Sequence, residues 1–266
     1  MPVDPRQSNI DETEALVPNP RIGRQFTVSQ RVRVDAVARD GRLRFDGAAR
    51  YVQDVAGDDS ADSGLSLDVY WVARRTVIDI VRPVVFREVI DLTTFCSGIG
   101  RGWAERRISV RGDRGGRIEV ATIWVALDRV SNSPRRVPAG FQDLYGESAQ
   151  GRKVRPTLFH PDPPPEAVEQ PWAFRAVDID LLDHVNNAVY WVPLEERFSA
   201  AGRSPAMPSR GEAEYRQAIE PGDRVRVLTD DTAERRAHWF VDDEDRVEAS
   251  VTWRPLPADV YSASGS

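Results

Sequence analysis

The chain has 266 residues, of which 41% are hydrophobic and 29% charged, and a formal net charge of −6. Such a composition describes an ordinary globular protein. The acidic balance argues against a general nucleic-acid binder, and no apolar run is long enough to cross a bilayer. Cys96 is the single cysteine, which excludes an internal disulfide and a multi-cysteine metal site. A buried, inert thiol is the expectation for it. Without a charged-then-apolar leader, a cytoplasmic location is the default.

Residues 1–25 are polar and proline-bearing, with little to bury, and read as a disordered lead-in. Phe26 to Arg33 then alternates apolar and polar residues, the period of a half-buried strand. From about Phe45 to Asp58 the apolar residues Ala48, Ala49, Val52, Val55 and Ala56 recur at helical spacing. Strands are predicted over 71–81, 88–94, 102–111 and 117–128, separated by glycine-rich or charged turns. Prolines crowd residues 131–170 and predict a linker without regular structure. Beyond it come a short strand near 172–177, a helix over 186–200 and strands over 212–219, 223–229, 235–241 and 246–253. Residues 256–266 form a tail.

The two halves repeat each other. Glu119-Val-Ala-Thr-Ile-Trp124 matches Glu248-Ala-Ser-Val-Thr-Trp253, and Glu88–Leu92 matches Asp223–Val227. Aligning Tyr51 with Tyr190 lays Gly47–Tyr51 over Asn186–Tyr190. Two matched units in one order imply a duplicated domain. Each reads strand, helix, four strands, which suits a curved antiparallel sheet wrapped around one helix in an α+β fold. Units at 26–130 and 171–255 then pack as a pseudo-dimer within one chain.

Only the second copy is rich in polar chemistry before its helix. Asp178, Asp180, Asp183, His184, Asn186 and Asn187 stand where the first copy has Arg42, Leu43, Phe45 and Gly47. Asn186 or Asn187 can cap the helix, and the amides behind the cap can stabilise an oxyanion. Asp180 and His184 can activate or orient a water, one of them as general base. A helix-capping loop with no catalytic role is the alternative. His160 and His238 read as structural. No metal-ligand spacing, glycine-rich phosphate loop or Gly-x-Ser-x-Gly elbow is present. Two basic runs, Arg101–Arg117 and Arg135–Arg155, are either solvated surface or a landing patch for an acidic partner.

From Phe26 to Trp253 the chain resembles the acyl-acyl-carrier-protein thioesterases, double hot-dog enzymes that release fatty acids. In the first copy the resemblance rests on Asp40-Gly-Arg-Leu43, Tyr51-Val-Gln-Asp-Val-Ala56, Trp71-Val72, Ser97–Arg101 and Trp124–Asp128. In the second it rests on Asp178-x-Asp180, His184-Val-Asn-Asn187, Tyr190, Glu214-Tyr-Arg216 and Pro221-Gly-Asp223. It implies a tandem double hot-dog that hydrolyses fatty acyl thioesters on acyl carrier protein, with no cofactor and no metal. Asp180 and His184 match the family's active-site pair. Substrate contacts are expected from Asn186, Asn187 and Trp71, and an apolar pocket from Phe45, Val52, Val55 and Trp71. Leu182 stands where the family often has asparagine, and Ala218 where it usually has glutamate. The partner implied is acyl carrier protein with its phosphopantetheine arm, with neither nucleic acid nor membrane involved, and a homodimer is left open. Rival readings are an acyl-coenzyme A thioesterase, a non-catalytic acyl-binding protein and a hot-dog hydratase or dehydratase.

Overall fold

The computed structural model describes residues 14–65, 69–232 and 234–262. The first unit comprises β1 (Phe26–Arg31), α1 (Phe45–Asp62), β2 (Val69–Arg82), β3 (Val89–Ile99), β4 (Trp103–Gly112) and β5 (Arg117–Asp128). The second comprises β6 (Val168–Pro171), α3 (Val192–Ala200), β7 (Ser209–Tyr215), β8 (Arg226–Asp231), β9 (Arg236–Val241) and β10 (Val247–Pro255). Between them lies a short helix, α2 (Ala139–Tyr145). Among the described residues no helix is long and apolar enough to cross a membrane.

Among the described residues ten strands join one antiparallel sheet in the order β1-β3-β4-β5-β2-β7-β10-β9-β8-β6. Outward from the centre both halves run in the same order, so the duplication read from the sequence is a duplication of topology. In each half the strand that follows the main helix lies at the centre, and there β2 meets β7, with Arg75 opposite Glu214 and Ile80 opposite Ser209. One core runs through both units. It contains Phe45, Val52 and Val55 of α1, Leu194 and Phe198 of α3, and inward residues such as Ile78, Ile80, Phe240 and Val251. Phe45 and Trp191 stack at its middle, 5.6 Å apart and 10° from parallel. Gly211 permits this, since a Cβ there would come within 2.6 Å of the Trp191 ring and 2.7 Å of the Phe45 ring.

The second helix is shorter than its sequence pattern predicts. Asn186 Oδ1 accepts the Ala188 N–H at 2.9 Å, and a single 3₁₀ turn over Val189–Trp191 follows. Pro193 has no N–H to give to Val189, so the regular α-helical ladder begins only at Val192. Of the strand predicted at 172–177, the structure instead has β6 ending at Pro171 and a 3₁₀ turn at Ala176–Asp178.

The second face of the sheet needs cover too, and the tails and linker supply it. The lead-in expected to be disordered through residue 25 is packed from residue 14 onward, while residues 1–13 lie outside the described residues. Leu16 is buried against Val77 and Ala121, and the Val17 carbonyl accepts from Arg107 Nε at 2.9 Å. The tail returns to the same face. Tyr261 donates to Asp79 Oδ2, and Asp79 is paired with Arg210 at 2.7 Å across the β2–β7 seam. The linker is corrected as well. Its helix α2 buries Phe141 and Tyr145, and its proline-rich half fastens to β9 and β10 through Trp239 Nε1 to the Pro161 carbonyl at 2.8 Å and His160 Nδ1 to Ser250 Oγ at 2.8 Å.

His160 also lies 3.6 Å from Glu212 and 3.9 Å from Glu214. Burial pushes its pKa down despite the two carboxylates. Its other ring nitrogen meets Thr252 Oγ1 at 3.1 Å, and Glu212 is committed to Arg75 at 2.6 Å. The arrangement fits a strap that holds the linker. His238 is structural in the same sense: Nε2 contacts the Tyr190 carbonyl at 2.9 Å and Nδ1 contacts Arg197 at 3.1 Å.

Candidate active site

The segment Asp178–Val185 closes on itself as a tight hairpin. Ile179 bridges Val185, the Asp180 N–H donates to the His184 carbonyl at 2.8 Å, and the Asp183 N–H donates to the Asp180 carbonyl at 3.2 Å. Asp183 sits at φ +58°, the left-handed conformation that aspartate tolerates better than most residues. The Val185 N–H is anchored on the Ile219 carbonyl at 2.9 Å, which ties the hairpin to the loop after β7.

The polar residues of this loop divide by task. Asp178 is structural: it accepts from Arg175 Nε at 3.1 Å and Nη2 at 2.8 Å, and from the Arg175 N–H at 2.8 Å. Burial opposes its charge, but the Arg175 bonds and charge prevail and hold its pKa below the usual carboxylate value. Asp180 spends only Oδ1 on the loop, accepting from the Leu182 N–H at 2.8 Å and the His184 N–H at 3.4 Å. Among the described residues, neither its Oδ2 nor the His184 ring makes a hydrogen bond. Asp183 is exposed at the tip.

Asp180, His184, Asn186, Asn187 and Trp71 all line one cleft of about 1040 Å³. Both units build it. The second contributes the hairpin together with Tyr215, Gln217 and Ala218, and the first contributes Trp71, Arg74, Cys96 and Arg106. Helix α2 adds Phe141 and Tyr145, with Phe141 5.0 Å from the Trp71 ring and 4.6 Å from the Tyr145 ring. Burial raises the Cys96 thiol to about 11, so it is an inert wall atom. Behind that wall, Asp59 of α1 accepts from Tyr145 at 2.8 Å and from Arg106 at 2.5 Å.

Three expectations change here. Phe45, Val52 and Val55 belong to the core and do not line the cleft; of the four apolar residues expected there, Trp71 does. The α2 residues were missed because proline density hid a seven-residue helix. The helix amides expected to form an oxyanion site are largely engaged: Ala188 N–H goes to Asn186 Oδ1 at 2.9 Å and Val189 N–H to the Asn186 carbonyl at 2.8 Å.

The first unit holds the same hairpin with different chemistry. Ala38 N–H donates to the Arg42 carbonyl at 2.8 Å and Gly41 N–H to the Ala38 carbonyl at 2.9 Å, while Val37 bridges Leu43. These bonds superpose Ala38 on Asp180, Gly41 on Asp183 and Arg42 on His184. Arg44, whose N–H donates to Ala36, then corresponds to Asn186, whose N–H donates to Asp178. The tyrosine-based alignment is therefore three residues out at this point, and it is Arg44 rather than Gly47 that overlies Asn186. Arg42 points into the protein and pairs with Glu195 of α3 at 3.0 and 2.6 Å, while Glu195 also accepts the Phe45 N–H at 2.8 Å. A salt bridge occupies the place where a second, symmetry-related pair would stand.

The comparisons with known proteins fit this geometry. Residues 23–145 match the acyl-ACP thioesterase N-terminal domain and residues 162–255 the acyl-ACP thioesterase C-terminal domain. Two uncharacterized proteins of Mycobacterium tuberculosis are each 29% identical over 245 residues, covering 91% of this chain and 97% of theirs. An oleoyl thioesterase from Lactobacillus plantarum has a TM-score of 0.72 at 22% identity, covering 89% of this chain and 98% of its own. The 12:0-ACP thioesterase of Umbellularia californica has a TM-score of 0.69 at 17% identity, covering 86% and 97%. These likenesses establish the double hot-dog fold, and the two consecutive domain matches establish the lineage: this chain belongs to the acyl-ACP thioesterase family.

Proposed function

We propose that this protein hydrolyses fatty acyl thioesters carried on acyl carrier protein and releases the free fatty acid. The observation that carries this reading is one cleft joining an aromatic wall, Trp71 and Phe141, to a hairpin on which, among the described residues, Asp180 Oδ2 and the His184 ring make no hydrogen bond. The acyl chain lies along the wall with its thioester at the hairpin. Asp180 takes a proton from water, His184 orients that water or the carbonyl, and Asn186 and Asn187 border the substrate. Asp180 carries the base role because Ala218, which lines the same cleft, offers no carboxylate. Assay of the purified protein on carrier-protein and coenzyme A thioesters over a range of chain lengths tests the reading. Preference for coenzyme A would move the substrate class, and absence of hydrolysis with tight acyl binding would make the protein a binder.

Restoring a carboxylate tests the role of position 218. Ala218 is exposed on the loop just past β7, so Ala218→Glu introduces a charge without a burial cost. Turnover is expected to rise if a second carboxylate helps to hold the water. Unchanged or lower turnover would leave Asp180 as sufficient base.

Carrier docking favours the end of the first unit. Arg101, Arg136 and Lys153 are exposed, and their segments meet at the β3–β4 turn. The Val137 N–H donates to the Arg101 carbonyl at 2.9 Å, and Ile99 N–H to the Arg152 carbonyl at 3.1 Å. Elsewhere in the first basic run Arg107 is fully buried, Arg106 pairs with Asp59, and Arg111 and Arg117 pair with Glu119, while the exposed Arg114 lies past the far end of β4. Reversing Arg101, Arg136 and Lys153 to Glu is expected to raise KM for the carrier-bound substrate, with a larger effect at low salt. The same KM in both salt regimes would remove the patch.

A further inference from the structure

We infer that Arg74 binds the acyl headgroup: it holds the thioester carbonyl oxygen, the oxyanion formed from it and the product carboxylate. The inference rests on the thioester reading above but concerns a residue that neither the hairpin nor its sequence pattern points to. Strand β2 is bulged at Arg74. Ala73 pairs with Trp124 and Arg75 with Ile123, which leaves Arg74 as the extra residue. Ala73 packs against the core, whereas Arg75 turns to the opposite face, to Glu212 at 2.6 Å and over the Phe159 ring at 4.6 Å. Regular alternation would send Arg74 out as well. The bulge re-aims it inward, a recurrent use of bulges beside functional sites, and Arg74 lines the cleft.

Its position there is fixed across the unit boundary. Arg74 Nη1 donates to the carbonyls of Tyr215 at 2.9 Å and Arg216 at 3.0 Å, at the end of β7. Tyr215 in turn donates to the Asn187 carbonyl at 3.1 Å, so one chain of bonds links Arg74 to the site loop. Among the described residues Arg74 Nε and Nη2 have no hydrogen-bond partner, and no carboxylate pairs with the guanidinium. Burial lowers its pKa from the usual arginine value, and the charge of Glu214 offsets this only in part. Two donors in a fixed fork suit a carboxylate or an oxyanion. Trp71 on its own strand and Ala218 past β7 line the same cleft as Arg74. This is the charge that the engaged helix amides do not offer.

The step balances without a co-reactant. Water loses a proton to Asp180 as its oxygen bonds to the thioester carbon, and the carbonyl π pair moves onto oxygen, beside Arg74. The C–S bond then breaks with its pair on sulfur, sulfur takes the proton, and the acid leaves as the carboxylate with release of one further proton.

Binding separates this role from a merely structural cross-link between β2 and β7. Calorimetry at neutral pH on the whole protein would compare straight-chain fatty acids with primary alcohols of equal length. Wild type is expected to bind the acid more tightly, and Arg74→Met to lose that preference at unchanged alcohol affinity, with kcat on thioesters lower by about 10²–10³-fold, as for loss of an oxyanion donor. Arg74→Lys keeps the charge and is expected to restore part of the preference. Should the Met variant not fold, Lys against wild type decides: a fall in acid affinity alone supports the assignment. Equal acid and alcohol affinity in wild type, a parallel fall in both, or no change in either variant overturns it. Arg74-dependent acid binding in a protein that hydrolyses no thioester would sink the hydrolase reading and leave the anchor standing. Hydrolysis with Arg74-independent binding would do the reverse.

Discussion

Asp180→Asn is expected to lower turnover about 10²–10⁴-fold, the range for loss of a general base, with no measurable loss of thermal stability. The two outcomes separate because the two carboxylate oxygens are used differently. Oδ1 accepts the Leu182 and His184 N–H groups and shapes the hairpin, and the asparagine carbonyl oxygen can accept both. Oδ2 makes no bond among the described residues, and that is where the substitution puts an amide that cannot take a proton. His184→Ala is expected to lower turnover while leaving the hairpin intact, since the bonds of His184 to the loop are made by its backbone. Turnover and melting temperature, measured on the same preparations, decide. Wild-type turnover in Asp180→Asn would make the loop a cap and no more, and a joint fall in turnover and melting temperature would make Asp180 structural.

Much of this arrangement could be read from residue order alone, and the reason is periodic burial. The helix stripe of α1 and the alternation of β1 record which side of each element faces the core, so the repeat and the fold class were legible. The candidate site loop stood out in the sequence as its densest polar stretch, and the structure sets Ala38 and Arg42 of the other copy at the positions of Asp180 and His184. What was not legible depends on contacts far apart in sequence. Nothing near Leu16 or Tyr261 announces that they cover the outer face of β2 and β5. The helix bearing Phe141 is only about two turns long inside a proline-rich stretch, and its order comes from packing on Trp71. Arg74 had a local signal that went unused. Inward residues fall at Trp71 and Ala73 but then at Ile78 and Ile80, and a change of phase within one strand marks an extra residue.

Arg42→Ala is expected to be the most destabilising single change considered, by about 3–5 kcal/mol, the cost of removing one partner of a buried ion pair. In a protein of this size that corresponds to a fall in melting temperature of roughly 10 °C. The pair is 6% and 5% exposed. Removing Arg42 would strand Glu195 in the core, where it still accepts the Phe45 N–H but lacks its cation. Glu195→Gln keeps that acceptor while removing the charge, so adding it to Arg42→Ala should recover much of the loss. A double-mutant cycle by thermal melting gives the coupling directly, and additive effects would mean that the two side chains do not act as a pair. The geometry also explains why a duplicated fold keeps one open site. At the position of His184 the first unit has a residue that crosses to the partner helix and closes the symmetry-related space with charge. Arg42 thereby joins the units at one end of the pseudo-dimer and leaves the other end open for Asp180, His184 and the cleft.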